Sequence, residues 1–446
     1  MNRSSRIALI AAVLAVSYPA IAWLFGLSVA HQWEARERQA IAETPTIAVV
    51  KRDYHRGIYT STQETTYRLR GILKRWVSTD AEFTVRTTFH HGPFPQLRSV
   101  APATADTELI LPPQLQKALD AVFAGKPALT AHTRVKWAGG SVTNIHSPAF
   151  SSRQVSHLTV SSGGLDGHIE TGSEIGDTTT VLALPSLRLS GARGSLSLAG
   201  VKLESRTKPY LPELAVGDFN TTVDSVTLES DKSGKAAARH VSLSGHTLAH
   251  GEFVDVDVKI AADSLEALRN SATALVYEIR FEHLHGPSLI AFNQAMRAAQ
   301  SGGKPDPVKV QAAFRTDGYG ILVHEPVIEV PSFGFETPDG GAQLTIKAAA
   351  PGLTRAELEG APAALRMALV KHAQVNADLR IDTGLLDKLI DSSGKADALT
   401  AQLQGLQRQG YLALEGQALA AHLSYRDGRL RVNDLPFPPR PPAPAR

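Results

Sequence analysis

Cysteine is absent from this sequence, which excludes a disulfide framework, a thiol nucleophile, an iron–sulfur cluster and any cysteine-ligated zinc site. Net charge is nearly absent too: 46 Lys and Arg stand against 43 Asp and Glu, a formal +3 over 446 residues. Nothing in that balance favours nucleic acid as a partner. Aromatic residues are sparse, at 6%. The chain also lacks a Gly-x-Gly-x-x-Gly turn, a phosphate loop, a zinc-helix His-Glu-x-x-His and a Gly-x-Ser-x-Gly elbow, so no motif points to a cofactor, a metal or a reaction. What is present is apolar content of 43%, enough for folded cores and too much for a disordered chain.

The longest apolar run lies at the start. From Ile7 to Ala30 there is no charged side chain, and Arg3 and Arg6 precede the run. A helix needs about 20 such residues to cross a bilayer. The expectation is therefore a single transmembrane helix over residues 7–30 serving as an uncleaved signal anchor. The basic tip, residues 1–6, stays in the cytoplasm by the positive-inside rule. A cleaved signal peptide ending near Ser28-Val29-Ala30 is the alternative.

Beyond a charged linker, residues 31–45, the pattern turns to strands. Phe83, Val85, Thr87 and Phe89 alternate with more polar neighbours, as a strand covered on one face requires. Further strands are expected at residues 129–135, 155–160, 181–189, 195–203, 222–228, 240–243 and 253–260. Gly163-Gly164, Gly191, Gly194, Gly200, Asp231 to Gly234 and Gly245 supply turn chemistry between them. Helical patterns cover residues 111–123, 288–299, 353–370 and 385–406, the last with Asp382 or Thr383 as cap. Asp427-Gly428 reads as a hairpin turn. The tail from Pro436 to Arg446 holds six prolines, a composition for extended or disordered chain. The expected fold class is mainly β with packed helices (α+β), elongated and extracytoplasmic, in two lobes at 46–270 and 271–435.

Candidate chemistry is thin. His90 and His91 are adjacent, so on one strand they point to opposite faces and make a poor metal pair. His283 and His285 share a face, but a metal needs a third ligand, and ordinary hydrogen-bonding histidines account for them more simply. Gly92-Pro93 and Gly286-Pro287 end strands and redirect the chain. Their surroundings, Phe89 to Pro93 and Phe281 to Pro287, are similar enough to raise either an internal duplication or chance reuse of a turn. Phe314, Ile321, Val323, Val327, Ile328, Val330, Phe333 and Phe335 would line an apolar groove or fill a sheet core, the core being the expected outcome.

Trp23-Leu24-Phe25-Gly26 ends the apolar run as Trp-x-x-Gly, and Tyr54-His55-Arg56-Gly57-Ile58-Tyr59-Thr60-Ser61 reads as Tyr-x-Arg-Gly-x-aromatic-x-Ser. His91-Gly92-Pro93-Phe94-Pro95 follows, and Asp427-Gly428 with Leu430 to Asn433 makes a terminal hairpin. Together these signatures resemble the YdgA family of bacterial envelope proteins, a domain of unknown function, with residues 91–95 the closest local match. Departures are Leu24, where a second aromatic is common, and Asn433-Asp434 in place of Asn-Gly. The resemblance implies an inner-membrane anchor carrying a periplasmic β-rich region, and it brings no catalytic residue, metal or cofactor.

The structural candidates are accordingly Trp23, Gly26, Tyr54, Arg56, Gly57, His91, Gly92, Pro93, Phe94, Pro95, Asp427 and Gly428. The functional expectation is a non-catalytic, membrane-anchored structural or interaction protein of the cell envelope, in the inner membrane with most of the chain in the periplasm. The alternative is a binding or transport module for lipid or another hydrophobic envelope molecule. Expected partners are the bacterial inner membrane and a second copy, an envelope protein or a lipid; nucleic acid is not expected.

Overall fold

A computed structural model describes residues 18–19, 21–26, 47–69, 82–111, 120, 123, 126–151, 158–174, 177–192, 194–231, 234–268, 270–300, 306–360 and 362–437. The chain divides into two compact units. The first unit comprises residues 1–192, 202–209 and 300–305; the second comprises 193–201, 210–299 and 306–446.

The first unit is an antiparallel sheet of β1 (Ile47–Arg56), β2 (Thr60–Leu69), β3 (Glu82–His91), β4 (Ala103–Ile110), β5 (Thr130–Val135) and β6 (Ser141–Ser147). It continues through β7 (Phe150–Ser151), β8 (Leu158–Ser162), β9 (Leu165–Thr171) and β10 (Thr178–Gly191). Strands β1 to β6 pair in sequence, β6 then pairs with β9, and β10 pairs with both β9 and β8. Phe89, Ala103 and Ala105 form its small core, with Val135 against them. Strand β11 (Gly194–Leu211) contributes residues to both units.

The second unit is built on four long strands, β12 (Leu214–Ser230), β13 (Gly234–His250), β14 (Phe253–Ala267) and β15 (Asn270–His285). The ladder continues through β16 (Val327–Thr337), β17 (Gly340–Ala349), β18 (Gln374–Asp382) and, past the short β19 (Ala413–Glu415), through β20 (Ala418–Arg426). It ends with β21 (Arg429–Val432) and β22 (Leu435–Phe437). All neighbours are antiparallel. The apolar core of this unit is at its helices: Leu353, Leu358 and Ala368 pack together beneath Tyr319, Leu322 and Leu365.

Several expectations are corrected. The strands run far longer than the sequence suggests, because Gly200 and Gly245 lie inside β11 and β13 rather than in turns. The helical pattern over 385–406 is two helices, Thr383–Ser392 and Ala396–Arg408, broken where Gly394 takes φ +69°. Most of the helix expected at 111–123 lies outside the described residues, as do 31–45 and 438–446.

The largest correction concerns the anchor. Among the described residues no helix is long and apolar enough to cross a membrane, against the single transmembrane helix expected. The inner-membrane, single-pass and periplasmic placement built on that helix, and the membrane as partner, go with it. Residues 1–17, 20 and 27–30 lie outside the described residues. The described part, Tyr18, Pro19 and Ile21–Gly26, is helical with Ala22 and Gly26 buried. Four residues apart, those two positions share one helix face, and that face packs against protein.

Candidate functional site

The hairpin register brings the N-terminal candidates together in the first unit. Thr60 faces His90 and Ser61 faces Phe89 across β2 and β3, while Ser61 faces Arg56 across β1 and β2. The β1–β2 turn and the start of the β3–β4 loop therefore share one end of the sheet. Gly57 N–H closes the first turn on Thr60 O at 2.8 Å, and Gly92 N–H bonds Pro102 O at 2.7 Å in the second. The helical segment sits on that end. Arg56 donates to Trp23 O at 2.8 Å and lies 4.4 Å over the Trp23 ring, an arrangement that adds a cation–π attraction. Tyr18 stacks on Tyr59 and donates to Phe94 O at 3.0 Å, and Phe25 meets Trp137 edge-on.

Beneath Gly26 lies His91. A Cβ on Gly26 would stand 2.5 Å from His91 Cε1, so only glycine permits this approach. His91 Nδ1 donates to Ile58 O at 2.7 Å; a carbonyl can only accept, which leaves Nε2 to accept from Ser61 Oγ at 2.9 Å. Burial pushes the His91 imidazole below its usual range, partly opposed by the Ile58 bond and reinforced by Arg56, so it is held neutral. Pro95 is buried with it, whereas Phe94 and Tyr54 are exposed.

A serine hydroxyl bonded to an oriented neutral imidazole has the geometry of a nucleophile and base. Here both side chains are only 2% exposed and Gly26 lies on the ring, so no substrate carbonyl reaches Ser61. The pair ties β2 to β3 and forms the seat of the helical segment. Ser61 closes the segment quoted from the sequence, but its pairing with His91 was not foreseen, because the partner is 30 residues away and only the strand register joins them.

The other candidates lie apart, in the second unit. Asp427 (φ 54°) and Gly428 (φ 71°) make the two-residue turn between β20 and β21, the left-handed pair such a hairpin requires. His283 and His285 meet in one aromatic cluster around Phe253 and His324 without forming a ligand set. His283 takes a left-handed φ of 62° and stacks on Phe253 at 3.9 Å, while His285 stacks on His324 at 3.8 Å. Among the described residues no group of three or more His, Asp or Glu is placed to hold a metal ion. Gly286-Pro287 opens the Gly286–Gln300 helix, whereas Gly92-Pro93 sits in a loop, so the two similar segments serve different structural ends.

A feature of which the sequence showed only the β16 part, with a sheet core as the expected outcome, dominates the second unit. Leu243, Ile260, Tyr277, Phe333, Leu344 and Leu379 stand directly opposite one another across β13 to β18. Two residues along the strands, Val258 and Ile279 lie on the same face, with Val330, Ile346, Ala377 and Leu423. Next come Val256, Phe281, Ile328, Ala348, Val375 and Tyr425. Strand alternation puts all three rows on one face. None of these side chains is buried; in the first row exposure runs from 36% at Leu243 to 44% at Ile260 for every member except Leu344, which is more covered. The region expected to be sheet core is thus an uncovered apolar surface.

The opposite face is polar and internally paired. Arg280 bonds Asp257 at 2.7 Å, His422 bonds Asp378 at 2.7 Å, His246 meets Asp218 and Lys347 meets Glu329. At one margin of the apolar face the Thr383–Ser392 helix encloses a cavity of about 340 Å³ lined by Leu265, Phe335, Leu385 and Leu389 among others.

Comparison with known proteins finds a match to a family model described as a bacterial protein of unknown function (DUF945) over residues 1–440. No curated protein and no solved structure matches the chain.

Proposed function

We propose that this chain, which belongs to the DUF945 (YdgA) family of bacterial proteins of unknown function, is a non-catalytic interaction protein whose contact surface is the apolar face across β13 to β18. The observation that carries this is the three rows of apolar side chains of which none is buried and of which Leu243, Ile260, Tyr277, Phe333, Leu379 and Ile328 are 36–44% exposed. A sheet face left to water is ordinarily polar, and contiguous exposed apolar area of this kind marks interaction sites. The polar groups elsewhere fit a structural part: Ser61 and His91 satisfy each other in a sealed pocket, and on the opposite face Arg280, His422, His246 and Lys347 each engage a carboxylate.

Aspartate at Ile260 or Phe333 tests the reading. With the face uncovered, Ile260→Asp and Phe333→Asp keep the far-ultraviolet circular dichroism and shift the melting temperature by a few degrees at most. The parent chain is expected to bind an environment-sensitive apolar dye saturably, and both variants to lose that binding. Unfolding of both variants, of the kind expected for Leu358→Asp in the helical core, would make the face a closed interior and overturn the proposal.

A further inference from the structure

The inference that follows rests on the contact-surface reading and names its occupant. The Thr383–Ser392 helix already covers one margin of the face, burying Leu385 and Ile390 while Leu389 stays 51% exposed. Beside it the strip over β13 to β16 is bare. From Leu243 to Phe333 the strip is three strand spacings wide, about 14 Å, and one α-helix with its side chains is about 10–12 Å across. Along β14 the run from Val256 to Leu265 is about 30 Å, the length of about 20 helical residues.

At the end of that strip the cavity opens between the sheet, through Leu265, Ala272 and Phe335, and the helix, through Leu385 and Leu389. Its volume of about 340 Å³ accommodates a large apolar side chain, the kind of anchor that dominates protein contacts. Its rim offers donors and acceptors without net charge: Lys388 is paired with Asp339, and Asn270, Ser271, Thr337 and Ser392 complete it. That neutrality suits a polypeptide backbone rather than a charged head group. The resident helix also stands proud of the sheet by about one helix diameter, so the flat face of a second copy does not lie flush on it. A helix does lie flush beside it.

We infer that the strip takes an amphipathic α-helix of a partner polypeptide, about 20 residues long, seated along β14 and β15 beside the Thr383–Ser392 helix, with an apolar anchor side chain in the cavity. The probe is a fluorescein-labelled, net-neutral 20-residue peptide with leucines at helical spacing. The control has the same composition with leucines at alternate positions. Fluorescence anisotropy with the full chain is expected to show saturable binding of the first and at least tenfold weaker binding of the second. Phe335→Asp and Leu389→Asp each weaken binding at least tenfold; Leu389 is exposed, so that variant folds. Asn220→Ala, on the polar face, leaves it unchanged.

Equal binding of the two peptides, saturable uptake of a dodecyl-chain detergent without peptide binding, or a dimer that Leu389→Asp dissociates would each overturn the inference. Dye binding without helix preference sinks the occupant alone, whereas absence of dye binding in the parent chain sinks the contact surface itself.

Discussion

His91 sits where the first unit holds its N-terminal helical segment, and its environment sets a pH dependence. Its folded-state pKa lies below the ordinary 6.5 because burial disfavours the imidazolium, with Arg56 adding repulsion. Between 6.5 and that lower value the unfolded chain binds a proton that the folded chain does not, so stability falls as pH falls. The expected outcome is a first unit at full stability above pH 6.5 that loses stability through the acid side of it. His91→Gln flattens that slope in melting curves recorded from pH 7.5 to 5.5. Glu357 gives a second, more acidic window. Hydrogen bonds from the Thr354 backbone and side chain hold its carboxyl down to about 2 from a usual 4.5. Its contribution is therefore present above pH 4.5 and lost as pH drops towards 2, a dependence that Glu357→Gln removes.

Gly26→Val places a side chain against His91, and overpacking of this kind costs about 1–3 kcal/mol. Hydrogen exchange should show the 21–26 segment released while β2 and β3 stay protected. Residue identity was legible in the sequence for most of this cluster, through the segments around Trp23, Arg56 and His91. Its assembly was not, because Arg56 and Trp23 are 33 residues apart and no local pattern encodes their contact. Ser61 stood in the sequence as the last residue of the segment around Arg56, but its pairing with His91 became visible only through the register of β2 against β3.

At the scale of elements, alternation and turn chemistry place the strands but understate their length. Gly200 and Gly245 carry a turn residue's signature, yet both lie inside strands. At Gly245 the reason is visible: the Phe219 ring covers it from the neighbouring strand, where a Cβ would stand 2.1 Å from Phe219 Cε1. The helices divide by what they cover. The Arg355–Leu358 turn carries a complete capping box, Thr354 with Glu357, and brings Leu358 to 1% exposure. Thr354→Ala is expected to cost about 1 kcal/mol and Leu358→Ala about 2–5 kcal/mol, both read from chemical denaturation. The expected anchor failed at this scale too. Hydropathy over Ile7–Ala30 registers apolar content but does not distinguish a helix face that packs on protein, as Ala22 and Gly26 do, from one that faces lipid.

Over the whole molecule, apolar content alone gives no indication of what is covered. The alternation along β14, β15 and β16 identifies a one-sided strand, and a one-sided strand ordinarily implies a core. Whether that side is closed depends on a second layer, and of the second unit's helices those around Leu353 and Leu358 pack on each other while the Thr383–Ser392 helix covers one margin alone. Burying the side chains left bare is worth about 1 kcal/mol each at half exposure, which is available to a partner rather than to folding.

Radical footprinting of the purified full chain with mass-spectrometric readout tests this most directly. Leu243, Ile260, Tyr277, Phe333 and Leu379 should be modified at rates close to those of free surface side chains and well above Leu358 and Phe89. Protection of those five to the level of Leu358 would show the face closed and contradict the account.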